Sequence, residues 1–159
     1  MALEIEKKWL IDLEAVPFDL EAAEKHHITQ TYVCFQPQIR LRDIDYGQRF
    51  VMPVKADKLA ADALARYEFE AEITRDSYED LSTQLVGKTI AKTRYVVPEP
   101  GDTGRKFEID VFEGEFAGLT VAEMEFASEE DAQSYPLPSW VIEDISREPR
   151  YKNIVMAQS

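Results

Sequence analysis

The feature that most constrains this chain is an alternation in which like charges occupy every second residue of a strand. The first strand, Leu3 to Leu10, sets Glu4, Glu6 and Lys8 on one face and its apolar residues on the other, because successive strand side chains point to opposite faces. Two carboxylates spaced about 7 Å apart repel each other unless a cation lies between them. Taken alone, this strand fits either a charged, solvent-exposed face or a metal site.

The alternation recurs in strand after strand along the sequence, with one sign of charge in each pair. The acidic pairs are Glu4/Glu6, Glu68/Glu70, Glu108/Asp110 and Glu123/Glu125, the basic pairs are Arg40/Arg42 and Lys92/Arg94, and Lys8 and Lys55 are single cations. A solvated sheet face predicts mixed signs along each strand, since unlike neighbours stabilise a sheet and like neighbours destabilise it. Segregation of sign by strand instead favours a barrel with a charged interior, where eight strands leave room for side chains or one small ligand.

A charged interior is costly unless its charges are paired, solvated or bound to a ligand. The ligand that fits carries both signs, with a divalent metal for the carboxylates and a polyanion for the arginines and lysines. Arginine contacts phosphate in a bidentate manner, and lysine supplies a point charge. Carboxylate oxygens suit Mg²⁺ or Mn²⁺ better than zinc, so the pattern indicates a metal–polyphosphate complex.

The composition limits the classes of protein to which this chain can belong. Its 159 residues predict a single domain over 1–159, and its net charge of −13 argues against binding nucleic acid or an anionic membrane through bulk electrostatics. The sequence has no apolar run of about 18 residues and no apolar signal core at its start, so we expect neither a transmembrane helix nor a signal peptide. Cys34 is the single cysteine, which fits a buried small residue in a reducing, cytoplasmic protein.

Periodicity and turn signals predict about eight strands with hairpin-like connections, and therefore an antiparallel sheet with short peripheral helices, an α+β fold that is mainly β. The predicted helices are Phe18–Lys25, Asp76–Val86 with an Asp76/Glu79 capping box and Gly87 as its stop, Ser128–Ser134 and Arg150–Ala157, with a helical turn in Lys58–Leu64. Pro53 predicts an edge or a bulge in its strand. We expect His26 and His27, adjacent at a helix-to-strand junction and without zinc-ligand spacing, to be structural or neutral.

The order of the charged strands resembles that of a known family. Glu4-x-Glu6-x-Lys8 resembles the ExExK signature of the triphosphate tunnel metalloenzymes, or CYTH superfamily, named after class IV adenylate cyclase and thiamine triphosphatase. The segments that match in order after it are Ile39–Arg42 (IRLR), Lys55 (a strand lysine), Arg66-x-Glu68-x-Glu70 (RxExE), Lys92-Thr93-Arg94 (KTR), Glu108-x-Asp110 (ExD), Glu123-x-Glu125 (ExE), and Trp140 with Tyr151-x-Asn153. Together these motifs span nearly the whole chain, which makes the resemblance specific.

The resemblance implies an eight-stranded antiparallel tunnel that binds a triphosphate and one or two divalent metals, Mg²⁺ or Mn²⁺. By position, it implies phosphate binding by Lys8, Arg40, Arg42, Lys55, Lys92 and Arg94, and metal binding by Glu4, Glu6, Glu123 and Glu125. Glu68, Glu70, Glu108 and Asp110 would complete an acidic wall, in which some side chains orient basic residues or the attacking water. The catalytic set implied in this way is Glu4, Glu6, Lys8, Arg40, Arg42, Lys92 and Arg94.

The chain departs from the family pattern mainly in its closing segment. Ile142 stands where members of the family often have glycine, and Asp144 and Ser146 stand where Glu and Thr are common. The glycine that often follows the strand lysine is also absent after Lys55. Lys106 shares the inward parity of its strand, and is either an extra phosphate ligand or a solvent-facing residue at the strand start.

The leading functional hypothesis is metal-dependent hydrolysis of a triphosphate, by attack of water on a terminal phosphorus. The absence of an adenine- or thiamine-specific signal favours inorganic triphosphate as the substrate. The alternatives are a class IV-like adenylate cyclase that makes cyclic AMP from ATP, a thiamine triphosphatase, and a non-catalytic module that binds polyphosphate or nucleotide. The outward apolar faces need more cover than short helices supply, so the pattern is also compatible with a homodimer.

Overall fold

The computed structural model describes residues 2–58 and 64–159, in which strands form most of the regular structure. The strands are β1 (Ala2–Ile11), β2 (Glu24–Cys34), β3 (Gln38–Ile44), β4 (Arg49–Lys58), β5 (Ala65–Ile73), β6 (Val86–Pro98), β7 (Lys106–Phe112), β8 (Thr120–Glu125) and β9 (Val141–Asp144). The α-helices are α1 (Arg75–Leu81), α2 (Glu129–Ser134) and α3 (Asn153–Gln158), and 3₁₀ turns cover Leu13–Ala15, Leu20–Ala22, Gly114–Phe116 and Pro149–Tyr151. The fold is therefore mainly β with short helices, as the sequence predicts.

The sheet closes on itself through its first strand. The strand order is β5-β4-β3-β2-β6-β7-β8-β1-β9, and β1 also pairs with β5, so eight strands form a closed barrel in which all neighbours are antiparallel. Residues 2–5 of β1 pair with β5, whereas residues 9–11 pair with β9. The prediction of an eight-stranded antiparallel barrel is confirmed, with β9 as an additional short strand that the sequence analysis missed.

Apolar residues pack in two separate regions. The first covers the outer face of β1 and of β6 to β8, where Trp9 stacks on Tyr135 and packs near Phe107, under the segment that follows β1 and helix α2. The second fills one end of the barrel, where Tyr32 and Phe112 on inward strand faces pack with Met156 of α3. Helix α3 thus closes one end of the barrel, and the charged residues occupy the interior beyond it.

The helix predicted over Phe18–Lys25 is wrong. Only a 3₁₀ turn forms at Leu20–Ala22, capped by the Asp19 carboxylate, which accepts the N–H of Glu21. Strand β2 already begins at Glu24, whose partner on β6 is Val96. Sheet pairing therefore overrides the helical propensity of this acidic segment, and both histidines lie within a strand.

The helix predicted over Asp76–Val86 is shorter than expected. Helix α1 ends at Leu81, and its cap is Thr74, whose hydroxyl accepts the N–H of Ser77. Gly87 lies inside β6 with φ of +71°, and a Cβ there would come within 2.4 Å of the carbonyl oxygen of Ala157. The absence of a side chain at Gly87 permits the close approach of α3 to the barrel.

Other local predictions have mixed outcomes. Pro53 lies in β4, an interior strand between β3 and β5, so the edge prediction is wrong. Pro53 and Met52 have no direct partner on β3, since the pairing continues from Val54 to Val51. The register shift between β4 and β5 comes after Lys55 rather than at Pro53. Ser128 caps α2 as predicted. The predicted Arg150–Ala157 helix is divided into a 3₁₀ turn and α3, and Cys34 is half-buried rather than buried.

The helical turn predicted over Lys58–Leu64 lies largely outside the described residues, although Lys58 ends β4 and Leu64 is buried in the outer apolar region. None of the helices in the two described ranges has the length and apolar character that a membrane span requires.

Candidate active site

A cavity of about 640 Å³ occupies the charged interior of the barrel. The predicted site residues that line it are Glu4, Glu6, Lys8, Arg40, Arg42, Lys55, Glu68, Glu70, Arg94, Glu108, Glu123 and Glu125. Lys106 also lies on its wall, although the lysine is exposed. Lys92 and Asp110 do not reach the cavity surface, because both are completely buried.

The strand order divides the interior into two halves of opposite sign. The four strands that carry two inward carboxylates each, β7, β8, β1 and β5, are consecutive around the barrel, and so are β4, β3, β2 and β6. Strands β4, β3 and β6 supply the inward cations Lys55, Arg40, Arg42, Lys92 and Arg94. A ligand in the cavity therefore meets an acidic half and a basic half, each with strands as its rigid support.

Each carboxylate of the predicted acidic wall forms an ion pair with an arginine of the basic half. Glu68 lies 3.3 Å from Arg40, Glu70 lies 3.7 Å from Arg42, and Glu108 lies 3.0 Å from Arg94 (all N–O distances). Asp110 forms a bidentate pair with Arg94, which donates from Nε at 2.8 Å and from Nη2 at 2.9 Å. These pairs fix the guanidinium groups in orientation, since the members of each pair are attached to strands that are adjacent or one strand apart in the barrel.

Arg94 and Lys92 share the carboxylate of Asp110. Burial opposes ionisation of all three groups, but the two cations lower the pKa of Asp110 well below its usual value, and Asp110 with Glu108 raises that of Arg94. Burial lowers the pKa of Lys92 to about 8, although Asp110 at 2.8 Å partly offsets this. Lys92 therefore stays mostly charged at neutral pH, and its ion pair is with buried Asp110 rather than with a group on the cavity surface.

The acidic half holds more negative charge than its cations neutralise. Burial and a hydrogen bond with Glu68 raise the pKa of Glu4 to about 7, even though Lys55 Nζ lies 3.0 Å from the Glu4 carboxylate. Burial, with repulsion from Glu123 and Glu4, raises the pKa of Glu6 well above its usual value. Raised carboxylate pKa values of this kind identify a site that a further cation would stabilise.

The four carboxylates predicted to hold metal lie on two adjacent strands, where Glu6 is the direct partner of Glu125 and Lys8 is the partner of Glu123. Burial and repulsion raise the pKa of Glu125, whereas Lys8 and the basic half lower that of Glu123 against the effect of burial. This oxygen-only set suits a hard divalent cation. Within the described part of the chain, no three acidic or histidine side chains are already grouped for coordination, and two of the four carboxylates, Glu4 and Glu123, are paired with Lys55 and Lys8.

Comparison with known proteins finds relatives that are named triphosphatases. No protein-family model matches the chain. A protein of Nitrosomonas europaea named inorganic triphosphatase is 33% identical over 98% of this chain and 97% of its own length, and a second inorganic triphosphatase, from Acetivibrio thermocellus, is 29% identical over 96% and 92%. A crystal structure of an inorganic triphosphatase covers 100% of this chain and 97% of its own, with a TM-score of 0.68 and 31% identity.

The chain belongs to the triphosphate tunnel metalloenzyme family. The 33% identity along the whole length, the closed eight-stranded barrel and the ordered charged motifs all agree with this assignment. The resemblance that the sequence indicates is therefore confirmed, and the cavity is a triphosphate tunnel in the sense of that family.

The departures from the tunnel family pattern are accommodated locally. Ile142 lies on β9 with 63% of its surface exposed, so its side chain does not intrude into the tunnel. Asp144 pairs with Lys7 at 2.6 Å, and Ser146 Oγ accepts the backbone N–H of Lys8 at 2.9 Å. Asp144 and Ser146 of the closing segment thus still bond to β1, at Lys7 and Lys8.

The sequence pattern does not single out uncharged residues of β2 that line the tunnel or support a residue that does. Buried Gln30 accepts a 2.8 Å hydrogen bond from Arg42 Nε, and buried Tyr32 lines the tunnel near its closed end. Lys8 Nζ donates to the carbonyl oxygen of Tyr151 at 2.6 Å. The inward parity of β2 would have found Gln30 and Tyr32. The contact between Lys8 and Tyr151 depends on how the C-terminal segment packs against β1, which no local pattern encodes.

Proposed function

We propose that this protein hydrolyses inorganic triphosphate with water to give pyrophosphate and phosphate, with help from a divalent cation. The observation that carries the proposal is the division of the tunnel into an acidic half and a basic half. A triphosphate alone would suit the basic half but not the acidic one, whereas a triphosphate with a divalent cation suits both. The two relatives named inorganic triphosphatase support the choice of substrate.

The basic half would bind and neutralise the phosphates that are not attacked. Arg40, Arg42 and Arg94 offer oriented guanidinium forks, and Lys8 and Lys55 supply point charges that line the same tunnel. These charges would stabilise the pyrophosphate leaving group as negative charge develops on it. We assign Glu68, Glu70, Glu108 and Asp110 to orienting these arginines, because each is paired with one of them.

Lys92 takes a different role in this proposal from the one that the family pattern implies. It is fully buried and bonds no group on the tunnel surface, so we assign it to positioning Asp110 and, through Asp110, Arg94. Its effect on catalysis would therefore be indirect.

The carboxylates of Glu4, Glu6, Glu123 and Glu125 would hold Mg²⁺ or Mn²⁺, since the set is made of hard oxygen donors and carries excess negative charge. A divalent cation there would polarise a phosphoryl oxygen and favour ionisation of the attacking water. The protein side chains would contribute binding, alignment of the terminal phosphorus and exclusion of bulk water by the closed end of the tunnel.

A substrate panel tests this proposal. Inorganic triphosphate, ATP and thiamine triphosphate would each be incubated with Mg²⁺ or Mn²⁺, and phosphate, pyrophosphate and cyclic AMP measured. We expect the highest kcat/KM with inorganic triphosphate and no cyclic AMP. Cyclic AMP with pyrophosphate from ATP would replace the proposal with a cyclase, preference for thiamine triphosphate would change the substrate, and tight binding without turnover would indicate a binding module.

Two features of the wider setting stay predictions. A homodimer would cover the apolar residues Leu3, Tyr67 and Phe69, which are each more than 40% exposed on the outer face of β1 and β5. A cytoplasmic location rests on the single cysteine and the composition of the chain.

A further inference from the structure

His26 lines the tunnel on the one strand of the basic half that presents no arginine or lysine to it. Strand β2 lies between β3 and β6, and its residues on the tunnel wall are Glu24, His26, Ile28 and Tyr32. The direct partner of His26 on β6 is Arg94. His26 therefore occupies the position at which a further cation of the basic half would stand.

Both ring nitrogens of His26 face carboxylates. Nδ1 lies 2.8 Å from Asp45 Oδ2, and Nε2 lies 3.2 Å from Glu24 Oε2. Because an ionised carboxylate only accepts hydrogen bonds, both nitrogens act as donors when both contacts are made, which describes the imidazolium form. The hydrogen bond with Asp45, with support from Glu24, accordingly raises the pKa of His26 above its ordinary 6.5, although partial burial opposes the shift.

The two carboxylate partners differ in how firmly they are held. Asp45 Oδ1 accepts the backbone N–H of His27 at 2.9 Å, and Asp45 itself sits in the turn after β3 with φ of +56°. The side chain of Glu24 is 64% exposed and makes the longer contact. Asp45 is thus a fixed orienting partner, whereas Glu24 is a partner that an incoming anion can displace from Nε2.

The remaining charged groups near His26 are accounted for on each neighbouring strand. On β6, Arg94 is neutralised by Asp110 and Glu108. On β3, Arg40 and Arg42 are paired with Glu68 and Glu70. One strand further on each side, Arg49 of β4 is paired with Glu72, and Lys106 and Glu108 stand on β7. Loss of the His26 proton would leave Glu24 and Asp45 as two uncompensated carboxylates beside the tunnel, which repels a polyanion.

We propose that His26 is a substrate-contacting residue of the tunnel, whose imidazolium Nε2–H exchanges Glu24 for an outer phosphate oxygen of the incoming triphosphate. This inference rests on the proposed function for the identity of the polyanion. It makes substrate binding dependent on pH. The charge of His26 is present below its raised pKa and is lost as the pH rises through it, so KM should be flat at lower pH and then increase.

The test compares kcat and KM for inorganic triphosphate with Mg²⁺, over roughly pH 6 to 9, in the wild type and in His26→Gln, His26→Lys and His27→Gln. His26→Gln should raise KM about 5- to 10-fold at low pH and leave kcat nearly unchanged, since one charge-assisted contact made before the chemical step is lost. His26→Lys, which stays charged, should keep a low KM to higher pH than the wild type. His27→Gln is the matched control, because His27 pairs with Glu113 outside the tunnel.

Three results would overturn the inference: an unchanged KM in His26→Gln at every pH, a loss of kcat with KM intact, or the same pH profile in His26→Lys as in the wild type. If His26→Gln proves unfolded by circular dichroism, the profile of His26→Lys still decides. If the wild type does not hydrolyse inorganic triphosphate, the proposed function fails separately. Calorimetric titration of the four proteins with inorganic triphosphate then tests the role of His26, because the Kd of each variant relative to the wild type should change as predicted for KM.

Discussion

Arg94 shows at the scale of single residues how this tunnel keeps cations in fixed positions. Its guanidinium donates two hydrogen bonds from one edge, Nε and Nη2, to Asp110 and a third from Nη1 to Glu108, so its orientation in the tunnel is fixed. Lys92 stands behind Asp110 with no exposed surface. The position of the Arg94 charge is therefore set in part by a buried layer, formed by Asp110 and Lys92, that does not line the tunnel.

The buried layer predicts a large effect for Asp110→Asn. The substitution leaves Lys92 buried without its carboxylate, so the free energy of unfolding at neutral pH should fall by about 3–5 kcal/mol. The contribution of Asp110 is present above the ordinary pKa of an aspartate and is lost as the pH falls through the lowered value, so the variant should also lose part of the acid dependence of stability. Urea unfolding at neutral and acidic pH measures both effects.

The control for this prediction is Asp76→Asn, in the exposed first turn of α1. A loss in Asp110→Asn no larger than in that control would contradict the buried-layer account.

Glu4→Gln and Arg42→Ala test the two halves of the tunnel one residue at a time. Each should reduce kcat/KM by at least about 100-fold, because one removes a carboxylate charge of the proposed cation site and the other a phosphate-binding guanidinium. Far-UV circular dichroism should remain that of the folded protein. Lys88→Ala and Glu115→Gln, which break an ion pair outside the tunnel, should keep full activity; full activity in either tunnel variant would remove that residue from the site.

At the scale of elements, the contact between β6 and α3 decides how one end of the barrel is closed. Gly87 lies where a side chain would meet the backbone of α3, and Met156 of α3 is buried with Tyr32 and Ile90. The closing helix is only six residues long, so its stability depends on this packing rather than on its own propensity.

Gly87→Ala and Gly104→Ala form a matched pair that isolates this contact. Both glycines have positive φ, +71° and +79°, so both substitutions should cost about 1 kcal/mol from backbone strain. A Cβ at Gly104 meets nothing within 4 Å, whereas at Gly87 it clashes with Ala157 and Phe35. Gly87→Ala should therefore be the more destabilising by roughly 1–3 kcal/mol in urea unfolding, and equal losses would show that α3 does not approach β6 this closely.

At the scale of the whole molecule, the sequence predicts what each strand carries but not where each strand lies. The parity of Glu4 and Glu6 follows from local alternation, and the closed barrel follows from eight such strands with short connections. The acidic and basic halves depend on strand order, in which β2 separates β3 from β6 and β1 joins β5 to β8. That order is set by packing over the complete chain, so the local pattern could not show the pairing of Glu68 with Arg40.

The misplaced predictions have the same physical origin. Lys92 and Arg94 have identical parity, yet only Arg94 reaches the tunnel, because Lys92 lies beside Phe112 near the apolar closed end of the barrel. The helix-to-strand junction predicted at His26 does not form, because the pairing of β2 with β6 overrides the helical propensity of the acidic segment before it. Burial depth and strand pairing are properties of the assembled barrel rather than of a segment.

The exposed apolar face of β1 and β5 carries a prediction for the assembled state. If a second copy covers Leu3, Tyr67 and Phe69, sedimentation velocity should show a dimer that dissociates when Phe69 is replaced by Lys, because a charge on each side would be buried in the interface. A monomer over the concentration range of the activity assays would contradict the prediction without affecting the tunnel.

The most direct test of the central claim follows inorganic triphosphate by ³¹P nuclear magnetic resonance during incubation with the protein, with Mg²⁺ and then with the metal chelated. The two-sided tunnel predicts that the triphosphate signals are replaced by pyrophosphate and phosphate in equal amounts with metal present, and that they persist once the metal is removed. Unchanged triphosphate in the presence of Mg²⁺ and of Mn²⁺, or equal turnover after chelation, would contradict the account.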